Sequence, residues 1–165
     1  MKMSRVWEMP NSKTFRIKAI QSLIIEYADK VCKDKNSIIL DPFANENSIG
    51  EYLRKYKYIT NDLDTSYNTD YHLEAQDFMA QFEVNSVDLI LYDPPYSSRQ
   101  VSECYKKLGK TVTMTDTDAS YFVKFKDEIA RVLKPNGVCI SFGWNTNGIG
   151  KKNNRNTKKV GCRNL

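Results

Sequence analysis

Between residues 14 and 31 the apolar side chains Phe15, Ile17, Ile20, Leu23, Ile24, Tyr27, Ala28 and Val31 recur every three or four positions. That spacing predicts an amphipathic helix over most of the span. Ser37-Ile38-Ile39-Leu40 is short, β-branched and followed by Asp41-Pro42. It reads as a buried strand ending in a loop, because proline cannot continue a central strand. Residues 49–56 have the pattern of a short helix. Tyr58-Ile59-Thr60-Asn61 reads as a second strand, closed by Asp62-Leu63-Asp64. Tyr71-His72-Leu73-Glu74-Ala75 is a weak third strand or a turn, and residues 78–82 look like a helical turn. The clearest strand is Val87-Asp88-Leu89-Ile90-Leu91-Tyr92, which runs directly into Asp93-Pro94-Pro95-Tyr96. Residues 121–133 place Phe122, Phe125, Ile129, Val132 and Leu133 on one side of a helix. Lys134-Pro135-Asn136-Gly137 stops it, and Val138-Cys139-Ile140-Ser141-Phe142 is a fifth strand.

Nearly all-apolar strands alternating with helices predict an α/β fold with a mostly parallel sheet covered on both faces. Ligands of such sheets bind beyond the carboxyl ends of the strands. Asp41, Asp62, Asp77 and Asp93 fall at those predicted ends. No repeat or linker divides the chain, so residues 1–150 read as a single domain and residues 151–165 as a basic, disordered tail.

Composition narrows the chemistry. A hydrophobic share of 41% and a charged share of 27% are those of a soluble globular protein. No run reaches the ~18 apolar residues of a membrane helix. Residues 1–10 carry Lys2, Arg5 and Glu8 and lack a secretion signal's apolar core, so a cytoplasmic location is expected. The four cysteines are far apart and His72 is the only histidine. This pattern points away from a disulfide framework, a zinc site or a Ser–His or Cys–His pair. The net charge of +5 is concentrated at the end, where Lys151, Lys152, Arg155, Lys158, Lys159 and Arg163 have no acid among them. Such a tail either holds nucleic-acid phosphates or is simply solvated.

Asp93-Pro94-Pro95-Tyr96 is the candidate chemistry. A buried strand brings an acid to the rim of the sheet, and two prolines fix a rigid extended turn. Each proline keeps its carbonyl while losing its donor. The cluster is therefore rich in acceptors and lies beside an aromatic ring. It suits a planar amino group, whose two N–H bonds it can accept while the ring stacks on the base. Holding an amino group this way favours attack by its nitrogen on an electrophilic methyl, through positioning and electrostatics. The plainer alternative is a proline turn that only closes the strand.

Asp-Pro-Pro-Tyr after a strand resembles the catalytic motif of the S-adenosyl-L-methionine-dependent methyltransferases that modify adenine N6 or cytosine N4 in DNA. Asp41-Pro42-Phe43-Ala44 is similar to that family's cofactor motif, and Phe15-Arg16-Ile17-Lys18-Ala19-Ile20 to the segment leading into it. The resemblance spans about residues 13–145 and implies a Rossmann-like class I methyltransferase sheet. It implies Asp93, Pro94, Pro95 and Tyr96 as catalytic residues, with Asp at the first position favouring adenine. Asp41, Pro42, Phe43 and Ala44, with Phe15 and Lys18 upstream, would face the cofactor. Asp62, with Asp64 next, would hold its ribose; Asp77 would accept from its adenine, with Phe78 packed beside the ring. DNA is the implied partner. Residues 97–119 are the one stretch available as a lid or substrate loop, with Arg99, Lys106, Lys107 and Lys110, and Lys151 and Lys152 of the tail, as phosphate contacts.

Three features depart from the family pattern. Asn45-Glu46-Asn47-Ser48 stands where the family has Gly-Ser-Gly, though asparagine tolerates left-handed backbone better than most residues. No insertion is large enough for a target-recognition domain. The two strands expected after the fifth are missing from the pattern, which suggests truncation or a shifted frame near Lys151 and an open sheet edge. A catalytically inactive nucleic-acid-binding module, and methylation of RNA or cytosine N4, stay open as alternatives.

Overall fold

The computed structural model describes residues 4–7, 13–95, 97–112, 119–143 and 158–163, with the backbone alone for 4–7, 119–124 and 158–163. Its strands are β1 (Ser4–Trp7), β2 (Ile38–Asp41), β3 (Lys57–Thr60), β4 (Val87–Tyr92), β5 (Leu133–Phe142) and β6 (Lys158–Arg163). Among the described residues they form one sheet in the order β1-β6-β5-β4-β2-β3, and every pairing is parallel. The helices are α1 (Lys18–Val31), preceded by a short 3-10 turn at Thr14–Arg16, α2 (Gly50–Leu53), α3 (Ala75–Ala80), α4 (Ser98–Lys107) and α5 (Ala119–Val132). The fold is α/β and Rossmann-like.

Side chains of the central strands alternate between two helical layers, as the strand period of two requires. Leu89 and Leu91 of β4, with Ile39, Val138 and Ile140, pack against Ile20, Leu23, Ile24 and Ala28 of α1. Ile90 and Tyr92, with Leu40 and Cys139, pack against Phe78 and Met79 of α3 and Phe125, Ile129 and Val132 of α5. Each such buried aliphatic or aromatic side chain contributes about 1.5–3 kcal/mol. Both faces of the sheet are therefore covered, which explains why β4 is apolar at every position but Asp88.

Several elements differ from their sequence expectation. The segment 134–137 does not simply separate α5 from a strand. Leu133 pairs with Val87 and Val138 with Leu89, so the residues between are looped out within β5, and Asn136 takes φ 69° there. The weak third strand is a single parallel bridge between Asn61 and Tyr71. Residues 97–119, expected only as a loop, hold the three-turn helix α4, whose N-terminus is capped by Ser97 accepting from the Gln100 N–H. Residues 158–163, assigned from their charge to a disordered tail, run as β6 between β5 and β1. Backbone pairing with two neighbouring strands overrides the polarity that hid this strand.

From β2 the chain crosses to β3 on one side, then returns past β2 to lay down β4 on the other. The carboxyl ends of β2 and β4 thus flank the point where strand order reverses, the place at which such sheets open a crevice.

Candidate active site

At the end of β2, Asp41 is fully buried. Its Oδ2 accepts from the Tyr58 hydroxyl at 2.8 Å and its Oδ1 from the Phe43 N–H at 3.3 Å. Burial pushes its carboxyl up to about 7 against these two bonds, with the nearby Asp93 and Asp62 charges adding to the rise. Asp41 therefore braces the loop from beneath. The loop itself turns through Asn45 and Asn47, both left-handed at φ 50° and 52°. Asparagine is among the few residues besides glycine that take this conformation readily. Its cost is visible: the Asn47 Oδ1 is buried with no hydrogen-bond partner.

Asn61, at the end of β3, ties three segments together and was not foreseen from sequence. Its side chain donates to the carbonyls of Pro42 (3.1 Å) and Leu73 (3.0 Å) and accepts from the Leu73 N–H (2.9 Å). Only its position at the rim of a strand hinted at this. Next to it, Asp62 accepts from the N–H groups of Asn45 and Asp64, both at 2.9 Å. Burial raises its carboxyl above the ordinary range, although the two N–H bonds oppose the shift. Asp64 is held well below that range by Ser66 and by Lys107, whose Nζ lies 2.9 Å away.

These segments enclose a cavity of about 550 Å³. Phe15, Pro42, Phe43, Ala44, Asp62 and Asp64 line it, together with Asp93, Pro94 and Pro95 from the end of β4. Asp41 lies beneath the lining. Phe78 is not part of the lining and is fully buried, against Tyr71 and Phe82. Lys18 and Asp77 are exposed and outside the cavity. In their stead Lys13 and Glu74 line it: Lys13 pairs with Glu46 at 2.6 Å, and Glu74 stands just before the first residue of α3. Glu74 and Asp77 are three residues apart at the start of α3, and only Glu74 lines the cavity.

The expected phosphate contacts are largely engaged elsewhere. Lys107 pairs with Asp64, Lys110 with Glu74 at 2.8 Å, and Arg99 with Glu103 at 2.7 Å. Lys106 is exposed. Tyr96, Lys151 and Lys152 lie outside the described residues. His72 is exposed, with Nδ1 3.0 Å from the Asp62 carbonyl oxygen. Among the described residues no group of three or more His, Cys, Asp or Glu side chains is arranged to hold a metal ion, and no helix is long and apolar enough to cross a membrane.

Comparison of the chain with protein-family models, curated proteins and solved structures gives no match.

Proposed function

We propose that this chain transfers a methyl group from S-adenosyl-L-methionine to the N6 amino group of adenine in DNA. One observation carries the reading. Residues 42–44 and 93–95, remote in sequence, end adjacent parallel strands on either side of the strand-order reversal and line the same cavity.

The lining fits the cofactor. Six carboxylates and two lysines face the cavity, a surplus of negative charge suited to a ligand bearing sulfonium and ammonium groups. Phe15, Phe43 and Val101 supply apolar wall for a purine. The volume falls inside the roughly 300–1,000 Å³ of small-molecule sites. Asp62 spends one N–H bond on each oxygen, which leaves lone pairs for ribose hydroxyls. Glu74, rather than the exposed Asp77, is the acid available to an adenine amino group.

When bound, the cofactor supplies an electrophilic methyl group. The chain's part is to present the nucleophile: Asp93 and the Pro94 carbonyl accept the N–H bonds of a flipped-out adenine and turn its amino nitrogen toward the cavity. Asp93 is also the base in position to take the proton which that nitrogen gives up.

The test is nucleoside mass spectrometry on DNA from a methylation-deficient host expressing the chain, beside an Asp93→Ala control. N6-methyladenine is expected with Asp93 alone, whereas calorimetric binding of S-adenosylhomocysteine is expected in both proteins. N4-methylcytosine would correct the base. Folded protein that yields neither product would overturn the reading.

A further inference from the structure

We propose that Tyr105 and Lys110 are positioning residues that hold Glu74 as the acceptor of an adenine amino group, and so set the cavity's preference for a 6-amino over a 6-oxo purine. The inference rests on the cofactor site proposed above and adds to it the helix that follows the Asp93-Pro94-Pro95 turn.

Glu74 by itself is poorly constrained. It occupies the position before α3 without making a side-chain capping bond, and its side chain is 37% exposed. A glutamate with that freedom loses substantial rotamer entropy when a ligand fixes it. Two groups from the end of α4 have already fixed it here. The Tyr105 hydroxyl donates to Oε2 at 2.8 Å, and the Lys110 Nζ donates to Oε1 at 2.8 Å. Each carboxylate oxygen thus receives one donor and retains capacity for another. An ionised carboxylate accepts and cannot donate, so it matches a 6-amino group and repels a 6-oxo group.

The local sequence explains how both residues reach one carboxylate. Helix α4 ends at Lys107 with Leu108 as its cap, and the next residue, Gly109, adopts φ +68°. The Gly109 N–H bonds back to the Lys106 carbonyl and the Lys110 N–H to the Tyr105 carbonyl, the paired pattern of a left-handed helix stop. The chain reverses there and folds Lys110 over Tyr105, with Nζ 5.9 Å from the ring centre. Val101 and Tyr105 are both buried, yet neither belongs to the two hydrophobic clusters that flank the sheet. Both line the cavity. Lys107 adds a second tether, to Asp64.

The experiment is isothermal calorimetry on the full chain with S-adenosylhomocysteine and with its inosine analogue, in which a carbonyl replaces the 6-amino group. Wild type is expected to favour the adenosine form. Tyr105→Phe, which keeps the ring, and Lys110→Gln are each expected to shrink that preference about two- to tenfold, the cost of re-ordering one long side chain. Affinity for the inosine form should stay unchanged. In a Glu74→Ala background Tyr105→Phe should have no further effect. An unchanged preference in both variants would overturn the inference, and so would an equal loss for both ligands, which marks Tyr105 as packing only. Wild-type protein that binds neither ligand would bring down the cofactor reading itself, a result distinct from either of these.

Discussion

A single carboxylate shows how the fold taxes the residues beneath its site. Asp41 has an ordinary value of 3.8 and is pushed up to about 7 in the folded chain. A raised carboxyl favours the protonated native state. Its stabilising contribution is therefore full below about pH 4 and lost as pH climbs through 7. Asp41→Asn keeps the shape and the acceptor for the Phe43 N–H while removing the charge. Above pH 7 the variant is expected to exceed wild type in stability by a few kcal/mol, with the difference vanishing near pH 4. Urea denaturation across that range measures it, and parallel curves would contradict the burial argument. Asp93 is the opposite case, a half-buried acid facing the cavity, where loss of the carboxylate should remove chemistry and spare folding.

The loop from residue 44 to residue 50 behaves as a unit. Asn47 stands left-handed and its buried amide oxygen lacks a partner, while a Cβ on Gly50 would come within 2.5 Å of that same oxygen. Asn47→Gly keeps the backbone form and removes an unpaired acceptor, a group whose burial costs about 1–3 kcal/mol. Gly50→Ala alone is expected to destabilise the chain. In the Asn47→Gly background the same change should cost much less, because the clashing atom is gone. Thermal denaturation of the two single variants and the double variant checks the coupling, and simple additivity would rule it out. Helix α4 was invisible as an element in the sequence because its apolar face is narrow: Val101 and Tyr105 are buried while Arg99, Glu103, Lys106 and Lys107 are exposed. Its capping serine and terminal glycine were nevertheless there to be read.

For the molecule as a whole, the sheet and the cavity should respond together to ligand. A ligand present at a hundredfold its dissociation constant stabilises a folded protein by about 2.7 kcal/mol. For a chain of this length that corresponds to a rise in Tm of roughly 5–10 °C. S-adenosylhomocysteine is expected to produce such a shift in differential scanning fluorimetry. A folded chain with no shift would favour the inactive nucleic-acid-binding module over the enzyme.

The central strands, the long helices and the two motifs at strand ends were legible in the sequence because each is a local pattern. Short apolar runs are buried between the two helical layers, Pro42 follows directly on the last residue of β2 and Pro94 stands two residues beyond that of β4, although Pro135 is carried inside β5. The partners of polar side chains were not legible, since they depend on which strand ends become neighbours. Asn61 reads as any loop asparagine until β2 and α3 are set beside it. That Lys107 pairs with Asp64 and Lys110 with Glu74 is visible only once α4 and the turn after it are set beside those acids. Strand β6 reads as solvated tail until β5 and β1 present their backbone edges. Local periodicity fixes what must be buried, whereas charge and hydrogen-bond pairing are decided by distance in three dimensions, which only the tertiary structure sets.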